Sequence, residues 1–194
     1  MTVRILDEPK VDAHVHVLDP VRFPYGTNTH YRPAGQETGS AEQLFQLMDT
    51  YGVRHALVVG PNSGYELDNR CMLDTLVRSA GRCKGIAVVR TDTEFDELAA
   101  LKAAGVIGVA WNATHHGVPF YAGATALLAH LAALDLFIDV QTEHDQMVEL
   151  APLLVRSGAR ILIDHCGRPT PGAGLDQAGF KAVLALAATG RAFV

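Results

Sequence analysis

Short apolar runs alternate with longer amphipathic stretches along the chain. The first run, Val11–Pro20 (VDAHVHVLDP), predicts a strand closed by a turn at Asp19-Pro20. A polar loop follows from Asp19 to Gly39, broken by Pro20, Pro24, Gly26, Pro33 and Gly35, and it carries Phe23, Tyr25, His30, Tyr31 and Arg32. Loops this long inside a domain are usually functional or disordered, and the aromatic and cationic content fits a segment folding over a site. Ser40 then predicts a helix cap, with Gln43 three residues on as in a capping box. Leu44, Leu47, Met48 and Tyr51 form the apolar face of that helix, and Gly52 ends it.

From here a regular alternation sets in. Strand 54–60 precedes helix 65–80, strand 84–90 precedes helix 93–104, and strand 106–112 precedes helix 123–133. Strand 136–141 precedes helix 143–156, strand 160–165 precedes helix 175–188, and the tail GRAFV opens one more strand. The strands are short, continuous and rich in Val and Ile, which predicts a parallel sheet covered on both faces.

Six βα units and the start of a seventh strand fit two α/β architectures. An open doubly wound sheet places a glycine-rich phosphate turn after its first strand, but VLDPVRFPYG contains no Gly-x-Gly. The alternative is a (β/α)8 TIM-type barrel, which typically needs about 250 residues. With 194 residues, the barrel reading expects a single domain over 1–194 that stops short, its seventh strand cut and its eighth missing.

Composition narrows the function classes. A chain 48% hydrophobic and 19% charged is globular rather than disordered. Net charge is −5, from 16 basic and 21 acidic residues, with no basic cluster to serve as a nucleic-acid footprint. No stretch reads as a signal peptide or a membrane span. Three cysteines, Cys71, Cys83 and Cys166, show no Cys-x-x-Cys spacing. They predict reduced thiols in a cytoplasmic protein, with neither a disulfide framework nor a structural zinc site.

Polar residues gather at the carboxyl ends of the predicted strands: His14, His16, Asn62, Arg90, Asn112, Gln141 and His165. Parallel α/β folds build their sites at that end. On a strand His14 and His16 leave the same face, about 7 Å apart along the backbone, with Asp12 one layer deeper. Asp164 has the opposite parity and is expected to face the helices or cap a turn. Asp139 shares a face with Gln141 and reads as a buried structural acid. His55 and His130 read as structural, and Cys166 as a small packing residue.

The segments VDAHVHVLDP, YRPA, HALVVGPNSGYELDN, GVAWN and ILIDHCGRP together resemble the amidohydrolase superfamily. Within it they are similar to the branch of TIM-barrel hydrolases that includes 2-pyrone-4,6-dicarboxylate lactonase and sugar lactonases. The resemblance runs from Val11 to about Val194, and its specific parts are the His-x-His strand and the IDHCGRP strand. It implies that His14 and His16 match the histidine pair of the first strand and His165 the histidine of the sixth. An aspartate of the eighth strand, which would activate water, is expected beyond Val194. The fifth strand ends in Gln141 where the superfamily has a histidine. An amide oxygen is a poor zinc ligand, and the lactonase branch likewise lacks that histidine and is understood to work without a divalent metal.

On this resemblance the expected activity is a hydrolase that opens a lactone, or a related small organic acid derivative, by water attack at a carbonyl polarised by histidines. His14, His16 and His165 donate hydrogen bonds to the developing oxyanion, and a carboxylate acts as general base. Substrate contacts are expected from Tyr31, Asn112, His116 and Gln141, with Trp111 and His115 completing a polar aromatic rim. The branch's fourth-strand arginines, which bind substrate carboxylates, are replaced here by Ala110 and His116. The cofactor expectation is none, or a single weakly bound divalent metal, zinc by preference, on His14, His16 and His165. His144 is a further candidate ligand in place of the missing histidine. The expected partner is a small-molecule substrate, without nucleic acid or membrane, and self-association is open. Two alternatives stand beside this one. A zinc-dependent amidohydrolase or non-oxidative decarboxylase would want a histidine where Gln141 stands, and a catalytically silent barrel would act as a binding module.

Overall fold

A computed structural model describes residues 8–27 and 29–194. Two compact units emerge: the chain through Val88 together with Ala103–Ile107, and Val89–Lys102 together with Gly108–Val194.

In the first unit, β1 (Lys10–Val15), β2 (Val53–Val59) and β3 (Cys83–Ala87) pair in parallel. Between them run α1 (Ala41–Tyr51) and α2 (Arg70–Arg78). The capping box at α1 forms as the sequence predicts: Gln43 N–H donates to Ser40 Oγ at 3.3 Å, and Ser40 N–H donates to Gln43 Oε1 at 2.8 Å. Gly52 closes the helix in the left-handed region, with φ 70°. Val58, Val59, Met48, Met72, Leu76 and Ile86 are buried and fill this unit's core. At Gly85 a β-carbon would sit 2.5 Å from Met72 Sδ, so only glycine lets α2 lie this close on β3. Gly85 N–H also donates to Gly105 O at 3.2 Å, at the threshold of β4 (Val106–Asn112).

Two predicted boundaries shift here for one reason. Asn69 accepts from Val88 N–H at 3.0 Å and donates from Nδ2 to Val88 O at 2.8 Å. Its carboxamide thus replaces a neighbouring strand for Val88. Residues 65–69 are therefore a turn, α2 begins at Arg70 rather than at Tyr65, and β3 ends at Ala87 rather than Arg90.

In the second unit, β4 pairs with β5 (Phe137–Gln141), β5 with β6 (Arg160–Ile163) and β6 with β7 (Ala192–Phe193), all in parallel. The helices are α3 (Phe95–Ala103), a single-turn α4 (Ala113–His116), α5 (Thr125–Ala133), α6 (Gln146–Ser157) and α7 (Ala178–Ala187). The core is one contiguous cluster including Leu98, Val109, Trp111, Leu131, Ile138 and Leu154. Residues 113–121, between the predicted strand and helix, form α4 and a 3-10 turn (Val118–Tyr121). β6 stops at Ile163, two residues before its predicted end, and α6 begins at Gln146 rather than Glu143.

The α/β class with parallel strands is borne out, as are the six βα units followed by a short further strand. No helix among the described residues is long and apolar enough to cross a membrane.

Candidate active site

In the first unit the site begins at the carboxyl end of β1. The β1–β2 register shifts between Asp12 and Val15, and within this irregularity Asp12 Oδ1 accepts the His14 N–H at 3.2 Å. The acid thus serves its own strand. The imidazoles of His14 and His16 lie edge to face, with ring centroids 4.9 Å apart at 84°. His14 is half-buried, and His16 is exposed just past the strand end.

His16 donates its Nδ1–H to the carbonyl of Val59, the last residue of β2, at 2.8 Å. Because a carbonyl only accepts, this bond sets the tautomer. Neutral His16 therefore carries its proton on Nδ1 and not on Nε2. It donates from Nε2 only as the imidazolium. The same backbone anchoring orients imidazole ligands in metal sites.

The loop after β1 is fastened rather than loose. Leu18 and Gly39 pair through backbone bonds of 2.9 and 3.1 Å. Tyr25 lies over Gly64, where a β-carbon would meet its ring at 2.6 Å, and packs against Tyr65 with centroids 5.0 Å apart. Gly64 N–H donates to Tyr31 O at 2.8 Å, and Gly26 N–H to Gly64 O at 3.2 Å. Gly64 adopts φ +74°, so this contact needs glycine both for space and for backbone. Burial raises the Tyr25 and Tyr65 phenols above their usual range. The Tyr31 ring is 47% exposed, yet its hydroxyl donates to Glu37 Oε1 at 2.5 Å. That bond raises the Tyr31 phenol and lowers the Glu37 carboxyl, whose other oxygen accepts from Ala34 N–H. Glu37 was not legible in the sequence as a partner of Tyr31.

In the second unit Asn112 and Gln141 are register partners at the carboxyl ends of β4 and β5, and Ala110 pairs with Asp139 two residues earlier. Both sequence-named amides are half-buried, and Asp139 below Gln141 is 2% exposed. Asn112 caps α4: its Oδ1 accepts from His115 N–H at 3.0 Å and from Thr114 Oγ1–H at 2.6 Å. Only its amide Nδ2 hydrogens are left for another partner. Its backbone N–H donates to the Tyr121 hydroxyl at 2.8 Å. Burial pushes the Tyr121 phenol up to about 12.

Trp111 is buried at 2% and stacks on Tyr121 at 4.4 Å, so it packs beneath the expected rim rather than forming part of it. Exposed His116 instead stacks on Phe120, with centroids 4.6 Å apart at 19°, and His115 lies against His116 at 4.4 Å. Strand alternation places Trp111 opposite Asn112, a signal that the sequence already carried.

The carboxyl end of β6 is the most unusual backbone in this unit. His165 (φ 49°, ψ 36°), Cys166 (φ 55°, ψ 26°), Gly167 (φ 73°) and Arg168 (φ 44°, ψ 57°) follow one another in the left-handed region. For non-glycine residues this costs roughly 1–2 kcal/mol each, so surrounding contacts must hold the turn. His144 N–H donates to Arg168 O at 3.2 Å, and His144 Nδ1 lies 2.8 Å from Thr170 Oγ1. Thr170 N–H donates to Gln177 Oε1 at 2.8 Å, and Gly179 N–H to Asp145 Oδ1 at 2.7 Å. A β-carbon on Gly167 would meet Val183 at 2.7 Å, and one on Gly179 would meet His144 O at 2.0 Å. His144 is thus a brace of this turn, its Nδ1 committed to Thr170. Asp164 opens the 3-10 segment beyond the strand, so the parity argument does not reach it. Cys166 is exposed, not packed. Oxygen and nitrogen donors able to hold a cation occur in each unit, His14 in the first and Asp164 and His165 in the second.

Alternating parallel strands and helices, with imidazoles at the end of β1 and just beyond β6, are the organisation of an amidohydrolase. The chain belongs to the Amidohydrolase family (Amidohydro_2), whose model matches residues 11–194. It is 30% identical over 177 residues to 2-pyrone-4,6-dicarboxylate hydrolase of Comamonas testosteroni, covering 90% of this chain and 57% of that protein. It is 32% identical over 187 residues to 4-sulfomuconolactone hydrolase of Rhizobium radiobacter, covering 91% of this chain and 59% of the relative. The chain therefore spans less than two thirds of the length of these relatives. Among solved structures it is similar to a protein of Acinetobacter baumannii described as a probable 2-pyrone-4,6-dicarboxylic acid hydrolase with citric acid bound. That match has TM-score 0.75 and 26% identity over 91% of this chain and 66% of the other.

Proposed function

We propose that this chain carries the carbonyl-activating histidines of a lactone hydrolase, His14 and His16 at the end of β1 and His165 beyond β6. The observation that carries this is the His14–His16 pair, 4.9 Å apart at a strand end, with His16 anchored through Nδ1 to Val59. Membership of the Amidohydrolase family and likeness to two lactone hydrolases support it.

In the reaction, water adds to the lactone carbonyl, the tetrahedral oxyanion collapses, and the ring C–O bond breaks to give a hydroxy acid. His14 and His165 donate to the oxyanion, and such donors are each worth roughly 100- to 1000-fold in rate. Neutral His16 offers a lone pair instead, so it accepts a proton from water or from a neighbouring imidazole. This assigns His16 a task different from the donor role that the sequence suggests. Asn112 Nδ2, Gln141, His116 and the Tyr31 ring form the proposed substrate contacts. Both relatives are named for lactones that carry acid groups, and we extend that class of substrate to this chain.

The alternative is a divalent cation, for which the Nδ1 anchor of His16 on Val59 O orients the ring as in imidazole ligands of metal sites. His14, His16 and His165 would hold such an ion, which would supply Lewis-acid polarisation of the carbonyl. Gln141 adds no imidazole to that set. Free Cys71, Cys83 and Cys166 support the cytoplasm as its compartment, with a small molecule as its partner.

A pH-indicator assay over carboxylated, sulfonated and neutral lactones, with the product checked for the mass of one added water, tests this function. Hydrolysis of at least one acid-bearing lactone is expected. Failure on every lactone refutes it.

A further inference from the structure

We infer that the second unit carries a further ligand site, a cavity against α6 that takes an apolar chain bearing an ammonium at one end and a carboxylate at the other. None of its lining residues lies on a strand, so the inference is independent of the lactone reading.

The cavity measures about 400 Å³, within the ~300–1,000 Å³ typical of small-molecule sites. Val118 and Pro119 of the 3-10 turn line it on one side, and Glu149, Leu150, Leu153 and Arg156 line it from α6. Helix geometry orders the α6 side. At 3.6 residues per turn, positions i, i+4 and i+7 fall in one row. Glu149, Leu153 and Arg156 are such a row, running acid, apolar, base. Their two charged residues stand about 10.5 Å apart along the axis at 1.5 Å rise per residue, and buried Leu150 lies beside the row.

Neither charge is used within the fold. Intrahelical partners sit three or four residues away. Forward of Glu149 and back from Arg156, both positions are the same apolar pair, Pro152 and Leu153. Both charged residues are exposed, and among the described residues neither side chain makes an ion pair or a hydrogen bond. Other cations of this unit are taken: Lys181 by Asp176 at 2.8 Å, and Arg191 by the carbonyls of Val155 and Ala159 at 3.0 and 3.3 Å. The signs of Glu149 and Arg156 complement the α6 dipole, which accounts for each charge but not for an apolar cavity between them. A ligand that matches the row sets a cation against Glu149, methylenes along Leu153 and a carboxylate in the planar fork of Arg156. An ω-amino acid has that chemistry.

The probe is ε-aminocaproate, titrated into the protein at constant ionic strength and followed in 1H–15N spectra, which also report folding of each variant. A ligand of this size should bind with a dissociation constant on the order of 10 mM, with shifts centred on residues 118–122 and 149–156. Arg156→Gln and Glu149→Gln should each weaken binding about threefold or more. Ala122→Trp, which fills the cavity from an exposed position, should abolish it. Caproate, which lacks the ammonium, should bind more weakly and respond to Arg156→Gln but not to Glu149→Gln. Absence of saturable shifts, shifts centred elsewhere, or wild-type affinity in any of the three variants overturns the inference. Caproate binding as tightly as ε-aminocaproate also overturns it, because the cavity would then recognise an anion alone.

Discussion

His16 gives its Nδ1 hydrogen to the carbonyl of Val59 across a span of 43 residues, at 2.8 Å. The bond joins the carboxyl end of β1 to the last residue of β2 and decides which nitrogen carries the proton. In long-range 1H–15N spectra above the imidazole titration range, His16 should show a protonated Nδ1 and an unprotonated Nε2. The opposite tautomer would remove His16 from the proton-accepting and ligand roles together.

Gly179 and His144 meet more tightly than any other glycine contact in the second unit, with 2.0 Å between a notional β-carbon and the His144 carbonyl. Gly179→Ala must displace the segment that braces the left-handed turn. The expected loss is about 1–3 kcal/mol in urea unfolding, the usual range for overpacking. Gly123→Ala is the control, because nothing lies within 4 Å of that position and its φ is not positive. It should change stability by less than about 0.5 kcal/mol.

Tyr31 and Glu37 behave as one unit because the phenol proton is held by the carboxylate. If Tyr31 contacts substrate only in the orientation Glu37 sets, Tyr31→Phe and Glu37→Gln should each raise KM roughly three- to tenfold with kcat little changed. The double variant should do no worse than the more severe single one. Additive effects in the kinetic cycle would separate the two residues.

Acid sensitivity of the first unit follows from Glu42, whose carboxylate is bonded to Arg78 and is thereby lowered to about 2 from 4.5. A carboxylate with a depressed folded-state pKa contributes stability above its unfolded value and loses it as pH falls through the folded value. Asp74, bonded to Arg22 at 2.7 Å, is lowered in the same direction. The urea midpoint should therefore be flat down to about pH 4.5 and fall between there and pH 2. Arg78→Met should flatten that fall, and an unchanged slope would mean that this exposed pair contributes nothing.

Much of the architecture was legible because its determinants are local. Val- and Ile-rich runs, the Ser40–Gln43 box and Gly52 each act within a few residues, and all formed as expected. Misplaced boundaries trace to partners distant in sequence, such as Asn69 standing in for a strand at Val88. The same holds within the candidate site. The closeness of His14 and His16 was readable from their spacing, whereas the anchor at Val59 lies a strand away. His165 was recognised from its motif, but the left-handed turn carrying it depends on Gly167 and Gly179 fitting against Val183 and His144, contacts that no periodicity announces. Trp111 lies beneath the rim, as strand alternation opposite Asn112 requires. The Tyr31–Glu37 pair, six residues apart in an irregular loop, follows no periodicity that a sequence displays.

On the proposed function, the imidazoles at the end of β1 and in the turn after β6 are each needed for hydrolysis of an acid-bearing lactone. The most direct test of this is kcat/KM for the best acid-bearing lactone in wild type, His14→Asn and His165→Asn, each before and after exhaustive chelation. Both variants should lose roughly 100-fold or more while keeping wild-type unfolding midpoints. Wild-type rates in either variant would contradict it.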